Sequence, residues 1–162
     1  MASAVTAQDL EATVEVAAPP ATVWSLVADP ARAREWSPQV LRTFVRGRPV
    51  QQGTTFLNLN SRGPLVWPTT AKVTSFDPHV RFAFRVNENR TTWSFTLEPT
   101  ADGGTRLTNR RETTEGISAV SLVMTRVALG GVDTFTDELR AGMAETLGKI
   151  KAAAESLAAA AR

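Results

Sequence analysis

Between Val40 and Thr114 the chain alternates apolar and polar residues in short runs, each closed by turn-forming residues, and no other feature restricts its fold as much. The breaks fall at Arg46-Gly47-Arg48-Pro49, Gln52-Gly53, Arg62-Gly63-Pro64, Asp77-Pro78, Asn87-Glu88-Asn89 and Asp102-Gly103-Gly104. Connections this short cannot carry a parallel crossover, so the runs are expected to form an antiparallel meander. An earlier run, Leu10, Ala12, Val14 and Val16 alternating with Glu11, Thr13 and Glu15, adds a half-buried strand. Between that strand and the meander, Pro19-Pro20 opens a short helix with Val23, Trp24 and Val27 on one face. A second short turn of helix runs from Pro30 to Trp36 and stops at Ser37-Pro38.

Such a sheet has an apolar face that must be covered. After Gly116 the period changes: Ile117, Val120, Val123, Met124 and Val127 recur at helical spacing until Gly130-Gly131, where a break is expected. From Asp133 to Leu157, one face of an amphipathic helix carries Phe135, Leu139, Met143, Leu147, Ile150, Ala154 and Leu157. The order is α+β, and the last helix is the only element long enough to cover the sheet. A curved sheet around one helix leaves a space between them, and that space is the candidate site.

Composition sets further limits. A chain of 162 residues, 43% of them hydrophobic, suits a single domain, read here as 8–157 with 1–7 and 158–162 as flexible termini. The absence of cysteine excludes disulfides, thiolate metal sites and cysteine nucleophiles, and suits a reducing cytoplasm. The opening segment MASAVTAQDL lacks the regions of a secretory signal, and no apolar run reaches bilayer length, so a cytoplasmic protein with no integral membrane segment is expected. Lys+Arg number 18 against 16 Asp+Glu, and the arginines are scattered among acids rather than gathered into a stripe. Nucleic acid is therefore not an expected partner.

Strand parity assigns the inward face. Trp67, Ala71 and Val73, then Phe82, Phe84 and Val86, then Trp93, Phe95 and Leu97 share it, and Leu107 places Asn109 and Arg111 there as well. Asn58 and Asn60 share a face with Phe56, but Leu57 and Leu59 contest that face and leave its direction open. The candidate ligand-binding residues are Trp36, Phe56, Asn58, Trp67, Phe84, Trp93, Phe95, Asn109, Arg111, Met124, Phe135, Leu139 and Met143. An interior guanidinium must be paired or hydrogen-bonded. Either Arg111 reaches water or a ladder neighbour at a strand end, or it anchors a carbonyl, enolate or carboxylate on an otherwise apolar ligand. His79, the only histidine, has no second His or Cys to complete a metal or triad set and reads as a solvated turn residue. Neither glycine pair has phosphate-loop spacing, so no metal and no cofactor is expected.

The segments Val14-Glu15-Val16-Ala17-Ala18-Pro19, Val23-Trp24, Asp29-Pro30 and Trp36-Ser37-Pro38 carry a family resemblance. So do Gly53, Val73 through Phe76-Asp77-Pro78, Trp93-Ser94-Phe95, Gly103-Gly104-Thr105-Arg106-Leu107 and Thr146-Leu147 through Glu155. With these the chain resembles the START-like superfamily, in particular bacterial polyketide cyclase/dehydrase and lipid-transport proteins of the SRPBCC, Bet v 1-like group. The resemblance implies a helix-grip fold: a curved antiparallel sheet of about six to seven strands around a long C-terminal helix, with two short helices after the first strand. It also implies that a small hydrophobic ligand (aromatic, polyketide-like, lipid or isoprenoid) is bound or carried in the internal cavity. A cyclase or dehydratase using the same cavity is the alternative, with Arg111 and Asn109 as candidate catalytic groups. A protein-interaction module is a third reading, and the expected state is monomer or homodimer.

Overall fold

The alternating runs pair into one seven-stranded antiparallel sheet in the computed structural model, which describes residues 9–113 and 132–162. The strands are β1 (Leu10–Val16), β2 (Val40–Arg46), β3 (Thr55–Arg62), β4 (Leu65–Asp77), β5 (Arg81–Val86), β6 (Thr92–Pro99) and β7 (Thr105–Glu112). Their order across the sheet is β1-β7-β6-β5-β4-β3-β2, so β2 to β7 form the meander and β1 adds to its far side. The β3–β4 hairpin turns at Gly63, whose φ of 57° lies in the left-handed region that glycine enters without steric cost. Between β1 and β2 lie helix α1 (Pro20–Val27) and a short 3-10 helix (Pro30–Glu35) capped by the Asp29 carboxylate, which accepts from the Ala31 N–H at 3.0 Å. This is the helix-grip arrangement expected, and the second of its short helices is 3-10 rather than α.

Register decides which side chains face inward. The β4–β5 pairing shifts between Val73 and Ser75, and the β2–β3 pairing shifts between Val40 and Arg42; irregularities of this kind bend and twist a strand. Strand β7 pairs without a shift against both neighbours, with Asn109 opposite Ala12 and Phe95 and Arg111 opposite Leu10 and Trp93. The inward parity of Leu107, Asn109 and Arg111 is therefore intact.

The long helix α2 spans Val132–Ala160 and buries Leu139, Met143, Leu147, Ile150 and Ala154. It continues three residues beyond Leu157, through alanines that favour helix intrinsically. Leu157 itself is exposed, because the buried face passes from Ala154 to the partly buried Ala158, four residues on. The apolar run from Ile117 to Val127 and the break at Gly130-Gly131 lie outside the described residues. A dense cluster of Val16, Val23, Leu26, Leu107, Leu147 and Ile150 fills the end of the molecule where α1 meets α2. Lys151 Nζ donates to the Glu15 carbonyl at 2.6 Å, and the Ala17 N–H donates to Glu155 at 3.0 Å, so polar contacts fasten the same half of α2 to β1 and the segment after it.

Candidate functional site

Away from that cluster, the concave face of the sheet, the 3-10 helix region and the first half of α2 enclose a cavity of about 180 Å³. Residues of β3 and β7 both line it, although four strand spacings separate them, roughly 19 Å on a flat sheet. The sheet must curl for both to reach one space. Eleven of the candidate residues line the cavity: Trp36, Phe56, Asn58, Trp67, Phe84, Trp93, Phe95, Asn109, Arg111, Leu139 and Met143. Met124 lies outside the described residues, and so does the side chain of Phe135. Asn60 lines the cavity beside Asn58, which fixes the direction of β3: Phe56, Asn58 and Asn60 point inward. Thr69, Glu138, Gly142 and Thr146 also line it, and sequence reasoning missed them as site residues.

The middle of the wall is aromatic. Phe56 and Phe84 meet edge to face with centroids 5.1 Å apart, and Phe84 continues to Phe82 at 6.0 Å. His79 is far from this chemistry in kind: it sits exposed in the β4–β5 turn, edge-on to Trp24.

On β7 the wall becomes polar. Arg111 is only 4% exposed and has no hydrogen-bond or ion-pair partner among the described residues. Its guanidinium carbon lies 5.9 Å from the centroid of the Trp93 ring, within cation–π range. Burial lowers its pKa to about 10, with Asp9 opposing the shift, so the group remains charged at neutral pH. Burial therefore works against the charged form of this side chain. Two residues away, Asn109 is 3% exposed, and its Oδ1 is buried without a partner. Such groups cost stability unless something satisfies them.

On β3 the polar groups are held by the protein. Asn58 Oδ1 accepts from Thr43 Oγ1 at 2.6 Å. Asn60 Nδ2 donates to Thr69 Oγ1 at 2.9 Å and to the Trp67 carbonyl at 3.3 Å. At the rim, Glu138 on α2 takes both arms of Arg62 at 2.6 Å each, joining the helix to the β3–β4 hairpin. That contact holds the Glu138 carboxyl below the usual glutamate range. Asp29, the other carboxylate of the lining, lies 3.1 Å from Arg48. Among the described residues there is no group of three or more His, Cys, Asp or Glu able to hold a metal, and no helix long and apolar enough to cross a membrane.

Comparison with known proteins agrees with this architecture. The family model described as polyketide cyclase / dehydrase and lipid transport matches residues 7–161. No curated protein matches the chain. Among solved structures, the di-domain ARO/CYC StfQ from the steffimycin biosynthetic pathway is 18% identical with a TM-score of 0.70, over 93% of this chain and 51% of that one. This chain thus spans about half of the StfQ length. Protein CV1439 from Chromobacterium violaceum is 16% identical with a TM-score of 0.64, over 91% of this chain and 98% of its own. The Aha1 dimer from Colwellia psychrerythraea is 17% identical with a TM-score of 0.62, over 91% and 96%. Likeness at these identities establishes the fold and nothing finer.

Proposed function

The chain belongs to the polyketide cyclase / dehydrase and lipid transport family, and from that premise we propose that it binds one compact, largely aromatic small molecule whose anionic or carbonyl oxygen is held by Arg111. The observation that carries this reading is a charged side chain buried against aromatic walls with no partner among the described residues. A ligand oxygen there would form a charge-assisted hydrogen bond, strengthened by the low dielectric of its surroundings. Size narrows the class. The cavity is smaller than the usual 300–1,000 Å³ or so of a drug-sized site and close to the roughly 150 Å³ that admits benzene, so it favours a body of one or two rings over a long acyl chain.

Binding is favoured over turnover because cyclisation or dehydration needs a proton carrier. Glu138 and Asp29, the two carboxylates of the described lining, are each engaged by an arginine.

Tryptophan fluorescence titration with 2-naphthoate and with naphthalene tests the reading, since Trp36, Trp67 and Trp93 line the cavity. Saturable one-to-one binding of 2-naphthoate is expected. Arg111→Met keeps most of the side-chain volume and should weaken 2-naphthoate by roughly 1.5–3 kcal/mol while leaving naphthalene unchanged. Its melting temperature should stay level or rise, because an unpaired interior charge is removed. Loss of both ligands alike, or unfolding of the variant, would make Arg111 a structural residue and end the proposal.

A further inference from the structure

We infer that Asn58 and Asn60 form a second, uncharged subsite on the β3 wall, and that the ligand carries a hydroxyl there, at the end opposite its acidic group. The inference rests on the binding reading above and adds to it the chemistry of the far end.

Both asparagines are more than nine-tenths buried and line the cavity. A wall meant only for hydrocarbon would carry apolar side chains at these positions, since an interior amide is costly unless its hydrogen bonds are made. Half of them are made within the protein, and a carbonyl among the partners of Asn60 fixes how that amide is turned. A carbonyl can only accept, so the contact of Asn60 with the Trp67 oxygen identifies the donating end as Nδ2 and directs Oδ1 the other way. Asn58 Oδ1 accepts from the Thr43 hydroxyl, which leaves Nδ2 as its free end. Among the described residues neither Asn58 Nδ2 nor Asn60 Oδ1 has a hydrogen-bond partner.

One donor and one acceptor thus stand on alternate residues of a single strand, roughly 7 Å apart at their Cα atoms. A carboxylate would satisfy the donor and repel the acceptor. A hydroxyl both accepts and donates, so it satisfies the two together. No net charge competes at this wall, because Arg62 and Glu138 neutralise each other in a two-armed contact. Arg111 stands on β7, with β4, β5 and β6 and their Phe84, Trp93 and Phe95 between. The ligand that fits is polar at both ends and aromatic between them, with unlike ends.

The test compares 2-naphthoate with 6-hydroxy-2-naphthoate, whose hydroxyl lies at the far end of the ring system from its carboxylate, by calorimetry on the whole chain. Wild-type protein is expected to prefer the hydroxylated acid by roughly 5–10-fold, the scale of one net hydrogen bond. Asn60→Leu should abolish that preference, and Arg111→Met should weaken both acids and keep the preference. Equal affinities in the wild-type protein overturn the subsite and leave the binding reading standing. That comparison needs no variant. Failure of the wild-type protein to bind either acid saturably overturns both. A preference that survives in Asn60→Leu removes the assignment to β3.

Discussion

The two halves of α2 cover the same sheet over different interiors. From Leu147 onward the helix lies on aliphatic side chains of β1, α1 and β7, and Ile150, Ala154, Val23, Leu26 and Leu107 have no exposed surface at all. Before Thr146 it faces a cavity through Leu139 and Met143, opposite aromatics, the inward asparagines Asn58, Asn60 and Asn109, and a buried arginine. Close packing leaves no room for an unsatisfied polar group, whereas an open space can admit water or a ligand to satisfy one. The chain therefore concentrates its stability at one end and its buried polarity at the other.

The largest effect that follows is on stability. Ile150→Ala should cost roughly 2–5 kcal/mol, because the deleted atoms leave a hole among fully packed neighbours. Met143→Ala should cost less, since part of its surroundings is already empty. Urea midpoints of the two variants measure the difference. Equal costs would break the division between a solid and a hollow end.

The same division explains which parts of the molecule could be read from residues alone. Trp93, Phe95 and Leu97 announce their face because bulky apolar residues alternate with polar ones, and unshifted pairing carries that parity through Leu107 to Arg111. Strand β3 resists the same logic. In this hollow fold the inward side of β3 is the polar one beyond Phe56, so hydrophobicity does not decide the contest between Asn58 and Asn60 and Leu57 and Leu59. Glu138, Gly142 and Thr146 are not apolar, so hydrophobic periodicity passes over them although Gly142 and Thr146 border the stripe of Leu139 and Met143. The Arg62–Glu138 contact joins residues 76 positions apart and leaves no trace in either neighbourhood.

Two glycines inside α2 sharpen the comparison at a smaller scale. A Cβ at Gly148 would meet nothing within 4 Å, while one at Gly142 would touch Pro38 Cγ at 3.4 Å, an ordinary contact. Each change to alanine should raise stability by roughly 0.5–1 kcal/mol through helix propensity. Gly142→Ala alone should also weaken 2-naphthoate, because Gly142 lines the cavity and Gly148 does not. An effect of Gly148→Ala on binding would show that the solid end is coupled to the site.

The smallest effects come from the two glutamates that tie α2 to the sheet. Arg62 holds the Glu138 carboxyl below its ordinary value of 4.5, and Lys151 together with the Ala17 N–H does the same for Glu155. A carboxyl depressed on folding stabilises the fold above its unfolded value, and that contribution disappears as the pH falls through the lower folded value. Both contacts are only partly buried, so each should give a modest, salt-sensitive loss of melting temperature between neutral and acid pH. Glu138→Gln and Glu155→Gln should each flatten their share of that profile. Their consequences for binding should differ. Glu138 lines the cavity and fastens the β3–β4 hairpin to the hollow half of α2, so stopped-flow measurements on Glu138→Gln should show 2-naphthoate entering and leaving faster at a similar Kd. Glu155 fastens the solid half, far along the helix from the lining, and Glu155→Gln should leave both rates unchanged. Unchanged rates in Glu138→Gln would mean that the Arg62 contact holds the hairpin without governing access, and the entrance would have to be sought elsewhere on the rim.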